Sequence, residues 1–278
     1  LGPDHLDYAT SCFYLGDVMI DLGLQEAAKD LHEKAFAIRQ KRLPTYHRLL
    51  AFSAERVAVT SGMTEDCEKA LDFVSQVLAV TEWNGGVVDP EVESVMLGAA
   101  NVAGWCNDLD LARSVLEQTR VFQEGAREPR NLGDVAVLLK LASVLDQLGE
   151  ASRAAELSER AVSAWKDLGG PEDRDFAAGL FVAGQAHLNA GLNERAREYF
   201  DMASDLDRRV ASGSDELGRW RLELARQYVR MGDPEAAVDL LRQAVRIGLP
   251  VKNIADDPAL TQLFDGAVAE APIADGAQ

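Results

Sequence analysis

Small and apolar residues recur along this chain with a period of 42 residues, inside stretches that have the spacing of an α-helix. One alanine marks each period, and the six alanines are Ala28, Ala70, Ala112, Ala154, Ala196 and Ala237, with the last step one residue shorter than the others. Seven residues after each alanine comes another small or compact residue, in order Ala35, Val77, Thr119, Ala161, Ala203 and Ala244. Because residues seven apart lie on one face of a helix, the pattern predicts equivalent helices that approach their neighbours closely.

Another amphipathic helix is predicted before each marked alanine. The stretches LDYATSCFYLGDVMIDLG and DFAAGLFVAGQAHLNAGL place apolar residues three and four apart, and they end at Gly23 and Gly191. Gly149 and Gly232 occupy the same turn in two other periods. Each period is therefore predicted to be a helical hairpin, and its apolar face is buried only when hairpins stack. The predicted fold class is all-α, a right-handed α-solenoid of about six antiparallel hairpins with a C-terminal capping helix.

Two periods depart from this regular pattern. In the second, we expect Gly62 to end the first helix early and the residues before Ala70 to lengthen the approach to the second helix. The third has Ala100 and Asn107 where glycine would be expected. We expect these hairpins to be less regular while remaining in phase with the others.

The repeat register ends after Gly248, and the chain divides accordingly. The repeat array is assigned to 1–248, with units of approximately 1–42, 43–84, 85–126, 127–168, 169–210 and 211–248. A capping helix is assigned to 249–270 and a disordered tail to 271–278. We expect that helix to have its N-cap at Asp256 or Asp257, with Pro258 in its first turn, and to cover the last hairpin.

These residues resemble the tetratricopeptide repeat signature. The first unit carries it at Leu15-Gly16, Gly23, Ala28 and Ala35, the fifth at Ala183-Gly184, Gly191, Ala196, Phe200 and Ala203, and the sixth at Tyr228, Gly232, Ala237 and Ala244. The 42-residue period and the LGPDH linker resemble the kinesin light chain-like branch of that family. The resemblance implies a protein-binding module in which the first helix of each hairpin lines a concave groove that holds a partner peptide or helix.

Projecting that concave face onto the sequence selects thirteen candidate partner-binding residues. They are Tyr14, Asp17, Asp21, Arg56, Asn101, Lys140, Ser143, Gln147, Gln185, Asn189, Arg219, Arg226 and Arg230. The three arginines share a helix face in an acidic chain, and guanidinium groups suit carboxylate partners, so this end is expected to receive an acidic segment. The alternative is that the arginines pair with neighbours such as Asp205, Asp207 or Glu223 and only hold the superhelix together.

The charge of the chain excludes some partners. It has 278 residues and a formal net charge of −18, which disfavours non-specific binding to nucleic acid or to an anionic membrane. No apolar run approaches the roughly 20 residues that a membrane-spanning helix needs. The three cysteines include no CxxC pair, and their odd number does not indicate a disulfide framework. We therefore expect a reducing compartment and a cytoplasmic location.

No catalytic or metal-binding motif is recognised in the sequence, and we predict neither an enzyme nor a cofactor or metal site. His5 and His47 stand one period apart, which marks them as a repeat feature and not a ligand pair. His187 lies where a first helix packs inside its hairpin, and a core histidine is the favoured interpretation.

Two further functions remain open beside a free-standing scaffold. The chain begins without Met inside a recurring segment, so we expect a longer protein, and the array could be the sensor or regulatory arm of a multidomain kinase, caspase-like protease or NTPase. The first hairpin could also associate with a second copy through its open apolar flank.

Overall fold

The computed structural model describes residues 2–83, 90–123, 129–210 and 215–263. In these ranges the chain forms six consecutive helical hairpins and a short terminal cap, so the predicted all-α solenoid is confirmed. The first helices of the hairpins are α1 Leu6–Asp21, α3 Arg48–Met63, α5 Pro90–Trp105, α7 Leu132–Gln147, α9 Arg174–Asn189 and α11 Asp215–Arg230. The second helices are α2 Gln25–Arg42, α4 Cys67–Trp83, α6 Leu109–Gln123, α8 Ala151–Asp167, α10 Asn193–Val210 and α12 Pro234–Arg246.

Four of the first helices, α1, α3, α7 and α9, begin at polar residues that cap them at equivalent positions of the repeat. The His5 Nδ1 atom accepts the backbone N–H of Asp7 at 3.1 Å, and the His47 Nδ1 atom accepts that of Leu49 at 3.2 Å. Asn131 and Asp173 cap α7 and α9 with their side-chain oxygens. The interpretation of His5 and His47 as a repeat feature is thus confirmed, because both satisfy N–H groups that a helix start leaves unpaired.

The turn between the two helices of each hairpin has one residue with positive φ, and it recurs with the repeat. These residues are Gly23, Glu65, Asn107, Gly149, Gly191 and Gly232. The departure predicted at Asn107 is confirmed. The prediction for Gly62 is wrong, because Gly62 lies inside α3 and the turn is made by Glu65 at φ 62°. A glycine costs a helix only about 1 kcal/mol relative to alanine, and the packed hairpin outweighs that cost.

Small residues lie where neighbouring helices cross, as predicted. The six marked alanines are fully buried, and their partners seven residues later are 2% exposed or less. The core therefore runs along the stack from hairpin to hairpin instead of forming one central cluster.

The C-terminal cap differs in detail from the prediction. Helix α13, Lys252–Ala255, comes before Asp256 and not after it, and a 3-10 turn follows at Thr261–Leu263. Leu249, Ile254 and Leu260 are buried in the same cluster as α12. The predicted N-cap concerns the segment after α13: there the Asp257 side chain accepts the N–H of Ala259 at 2.9 Å, directly before the 3-10 turn. Residues 264–278, including the predicted tail, lie outside the described residues.

A disulfide joins the second and third hairpins. Cys67 is the first residue of α4, and Cys106 follows α5 directly, with their Cα atoms 5.4 Å apart. From the odd number of cysteines we inferred no disulfide framework and missed this bond, so the expectation of a reducing compartment loses its basis. The 39-residue separation resembles no short cysteine motif, so only the stacking of adjacent turns brings the two thiols together. Cys12 is buried with a free thiol.

Candidate partner-binding groove

The first helices line the inner side of the stack. Helix α3 packs on α5, α5 on α7 and α7 on α9, whereas in the described part of the chain no second helix makes comparable contact with the next second helix. A stack that is tighter along its first helices curves towards them, so these helices form the concave wall. None of the described helices is long and apolar enough to cross a membrane.

At the N-terminal end of the groove, predicted site residues pair with one another. The Asp17 carboxylate lies 3.3 Å from Arg56 Nε and 3.5 Å from His32 Nε2. Burial lowers the pKa of His32, and its Nε2 atom is also 3.2 Å from the Phe13 carbonyl oxygen. Tyr14 is exposed over 64% of its surface, and Asp21 is also exposed. This end therefore offers an aromatic ring beside an ion pair that is already formed.

A buried carboxyl group lies beside this ion pair. Glu55 is 7% exposed, and burial raises its pKa to about 7 even though Arg56 Nε lies 3.6 Å from its Oε2 atom. The Glu55 side chain packs against Gly98 of α5, where an added Cβ would lie 2.1 Å from Oε1. Gly98 occupies the repeat position of Tyr14 and Arg56, so the third hairpin has no side chain at that point of the groove.

The middle of the groove carries polar residues that retain free hydrogen-bonding capacity. Lys140 is half-buried, and desolvation lowers its pKa. Among the described residues neither Lys140 nor the half-buried Asn101 has a hydrogen-bond or ion-pair partner. The side chain of Ser143 accepts a long hydrogen bond of 3.4 Å from Gln147. These residues can therefore donate to a ligand.

One residue of the groove was missed by the sequence interpretation. Trp105, the last residue of α5, is exposed over 58% of its surface. It occupies the same repeat position as Asp21, Gln147, Asn189 and Arg230, which were all selected. Selecting by polarity left it out, whereas selecting by repeat position alone would have included it.

At the C-terminal end, the predicted residues form a ladder between hairpins. The Asn189 side-chain amide donates to both carboxylate oxygens of Asp146, at 2.9 and 2.8 Å. Arg230 donates to the side-chain Oδ1 atom of Asn189 at 2.7 Å and to the side-chain Oε1 atom of Gln227 at 2.8 Å. The ladder thus joins the fourth, fifth and sixth hairpins.

Two of the three arginines predicted to bind an acidic segment are paired internally. Besides the contacts of Arg230, Arg226 pairs with Glu223 and, at 2.7 Å, with the buried Asp257 of the cap. Glu223 was among the expected partners, whereas Asp205 and Asp207 pair with other arginines. Arg219 is exposed and has no ion-pair partner among the described residues.

The remaining polar groups indicate structure and not chemistry. His187 is 2% exposed with Nδ1 2.8 Å from the Ala183 carbonyl oxygen, so the interpretation as a core histidine is confirmed. Across the described ranges, no three His, Cys, Asp or Glu side chains are grouped as a metal site would require.

Residues 176–248 match the tetratricopeptide repeat family. No curated protein matches the sequence. The kinesin light chain TPR-like repeats of Podosopora anserina are 20% identical, with a TM-score of 0.62 over 73% of this chain and 96% of that chain. BtubC (BKLC) from P. vanneervenii is 18% identical, with a TM-score of 0.58 over 72% of this chain and 80% of that chain.

PilF of Pseudomonas aeruginosa is 14% identical, with a TM-score of 0.58 over 94% of this chain and 97% of that chain. At these identities the structural likeness establishes the fold. The 42-residue register and the capped hairpins agree with it along the whole array. Residues 176–248 therefore match the tetratricopeptide repeat family, and the array has the fold of the helical-hairpin solenoids that it resembles.

Proposed function

We propose that this protein is a non-enzymatic interaction module that binds a partner peptide or helix in its concave groove, with the main contacts in the third and fourth hairpins. The observation that carries the proposal is the half-buried Lys140 of α7, which has no partner among the described residues, together with Asn101 and the exposed Trp105 of the neighbouring helix α5. Tetratricopeptide solenoids serve as protein-interaction modules, which supports this general role.

The chemistry of these residues suits a peptide. A half-buried ammonium group has lost part of its hydration, so a carbonyl or carboxylate oxygen of a partner replaces water at lower cost than at an exposed lysine. The Asn101 amide can both donate to and accept from a peptide backbone. Trp105 offers a large, rigid surface, and tryptophan is enriched among residues that dominate binding energy.

The two ends of the groove contribute less on this proposal. Asp17 and Arg56 at one end, and Arg226 and Arg230 at the other, already have internal partners. A ligand that used them would have to break those contacts first. Arg219 and Gln185 extend the set of accessible groups beyond the middle of the groove.

The experiment selects a binding peptide from a displayed random library and measures its affinity by fluorescence polarisation. Lys140→Ala and Trp105→Ala are each expected to weaken binding about tenfold or more, because truncating a central anchor costs more than about 1 kcal/mol. Lys166→Ala, an exposed lysine on the second helix α8, is the matched control and should bind like wild type.

A second variant tests the placement of the site. Arg226→Ala/Arg230→Ala is expected to keep its peptide affinity while losing some stability. Unchanged affinity in both mid-groove variants, or loss confined to the double arginine variant, would contradict the proposal. Circular dichroism of each variant confirms that the helices remain folded.

A further inference from the structure

A cleft opens between the first three hairpins, away from the middle of the groove. Its volume is about 540 Å³, and its walls come from α1, α2, α3 and α5. Clefts of roughly 300–1,000 Å³ are typical of small-molecule sites. Phe13, Tyr14 and Phe52 provide an aromatic wall.

The cleft contains a buried cation without a counter-ion. Arg39 is 3% exposed, and its guanidinium group contacts only neutral groups: the Ser53 hydroxyl at 2.6 Å, the Thr10 hydroxyl at 3.5 Å and the face of Phe13 at 4.8 Å. No carboxylate lies within 4.0 Å of it among the described residues. A buried charge is costly unless it is paired, so this position favours an anion.

The other charged groups of the cleft lie around Arg56 and do not compensate Arg39. Arg48 and Arg56 line it together with one carboxyl group, that of Glu55. Glu55 lies near Arg56 and not near Arg39, and its burial favours the neutral form. The Asp17 carboxylate lies 3.3 Å from Arg56 Nε, so the charge of Arg56 is already paired. The preference of the cleft for an anion is therefore carried by Arg39.

We propose that this cleft binds a small organic anion, a carboxylate or phosphate monoester carried on an aromatic ring or a short aliphatic body. The oxyanion meets Arg39 at the inner end, since a guanidinium group matches both carboxylate and phosphate geometry. The apolar body lies against Phe13, Tyr14 and Phe52. This site is separate from Lys140, Asn101 and Trp105 and does not depend on peptide binding there.

The experiment titrates phenylacetate and phenyl phosphate into the protein, with calorimetry for affinity and amide NMR for location. At least one anion is expected to saturate, with the shifted amides around Phe13, Phe52 and Val95. Benzyl alcohol and benzylamine, which share the ring but lack the anion, should bind at least tenfold more weakly. Saturation by phenylacetate alone assigns the site to carboxylates, and saturation by phenyl phosphate alone assigns it to phosphates.

Substitution of the buried cation provides the second test. Arg39→Met keeps much of the side-chain volume and is expected to weaken anion binding about tenfold or more. Arg208→Met, at an exposed arginine of α10, is the control and should leave binding unchanged. If Arg39→Met does not fold, the location of the shifted amides in wild type decides whether the anion binds in this cleft. The proposal would be overturned if neither anion saturates, if benzyl alcohol binds as tightly as the anions, or if the shifted amides lie elsewhere. Full anion affinity in a folded Arg39→Met protein would overturn it as well.

Discussion

At the scale of single residues, the buried charges near the N-terminal end distinguish this chain from a plain helical stack. Arg39 and Glu55 both lie inside the first hairpins, but Arg39 contacts the Ser53 hydroxyl, whereas Glu55 lies near Arg56. Gly98 allows the Glu55 carboxyl to lie against α5, since a Cβ there would overlap it. The burial of Arg39 without a carboxylate partner among the described residues costs stability, which is consistent with a role in binding and not in folding.

The buried carboxyl makes stability depend on pH. The folded protein holds the Glu55 proton up to a pKa of about 7, whereas the unfolded chain releases it near 4.5, so the free energy of unfolding falls as pH rises through this window. Asp17 and Arg56 face this carboxyl, and Arg39 and Arg48 share its cleft. Glu55→Gln stays neutral and should be roughly 1–3 kcal/mol more stable than wild type at pH 8, with little difference at pH 5.

Urea unfolding at the two pH values measures this difference. Glu156→Gln, at an exposed glutamate of α8, is the control and should change the free energy of unfolding little at either pH. A Glu55→Gln protein that is less stable than wild type at pH 8 would mean that the ionised carboxyl stabilises the fold through Arg56.

At the scale of the helical hairpin, the turns show where the chain departs from the rule that glycine occupies the positive-φ position. Four of the six turns place glycine at the positive-φ position, but the second and third use Glu65 and Asn107. The left-handed conformation costs a non-glycine residue about 1–2 kcal/mol, and asparagine tolerates it better than glutamate does. The strain therefore falls mainly on the second hairpin.

Replacing the strained residue should relieve this cost. Glu65→Gly is expected to raise the free energy of unfolding by roughly 0.5–1 kcal/mol, because the gain in backbone conformation exceeds the added entropy of the unfolded chain. Gly149→Ala, at φ 83° in the fourth hairpin, is the matched reverse change and should lower it by a similar amount. Thermal or urea unfolding measures both, and a destabilised Glu65→Gly protein would show that the glutamate side chain stabilises the turn.

At the scale of the whole molecule, links between hairpins hold the stack together. Ion pairs join second helices of neighbouring hairpins, as in Lys69–Glu33 at 2.5 Å and Arg153–Glu117 at 2.8 Å. Exposed pairs of this kind contribute only about 0–1 kcal/mol each. Between the second and third hairpins the covalent bond Cys67–Cys106 is present as well. It thus reinforces the two hairpins whose turns depart from the glycine rule.

Removing this bond should destabilise the array. Cys67→Ser/Cys106→Ser is expected to lower the free energy of unfolding by about 2–4 kcal/mol, since the crosslink restricts the unfolded chain. Solenoid stability is a sum of neighbour terms, so amide exchange should quicken first in the second and third hairpins. Dithiothreitol should lower the free energy of unfolding of wild type to that of the double variant, and it should leave the double variant unchanged. Two free thiols titrating at these positions in native, air-oxidised protein would contradict the assignment.

Much of the fold was predictable because it follows from local sequence signals that recur from one repeat to the next. Helix periodicity, the small residues at the crossings and the glycine turns each act within one hairpin, and six copies reinforce the pattern. The residues of the concave face were predicted from repeat position, but whether each side chain is free to bind a partner was not predicted. Whether Arg226 is free depends on Asp257, which lies in the cap and outside the repeat.

The sequence by itself determined the class of fold and the number and phase of the hairpins, because these follow from short-range periodicity; which helix faces inward came from the resemblance to the tetratricopeptide repeat. Only the tertiary structure decided that Cys67 meets Cys106. It also decided that, within the described ranges, Arg39 is buried without a counter-ion and Lys140 has no partner while Arg230 does. Each of these depends on contacts between hairpins or on the geometry of side chains about 40 residues apart. Such contacts depend on how the hairpins stack, and no periodic pattern in the sequence predicts them.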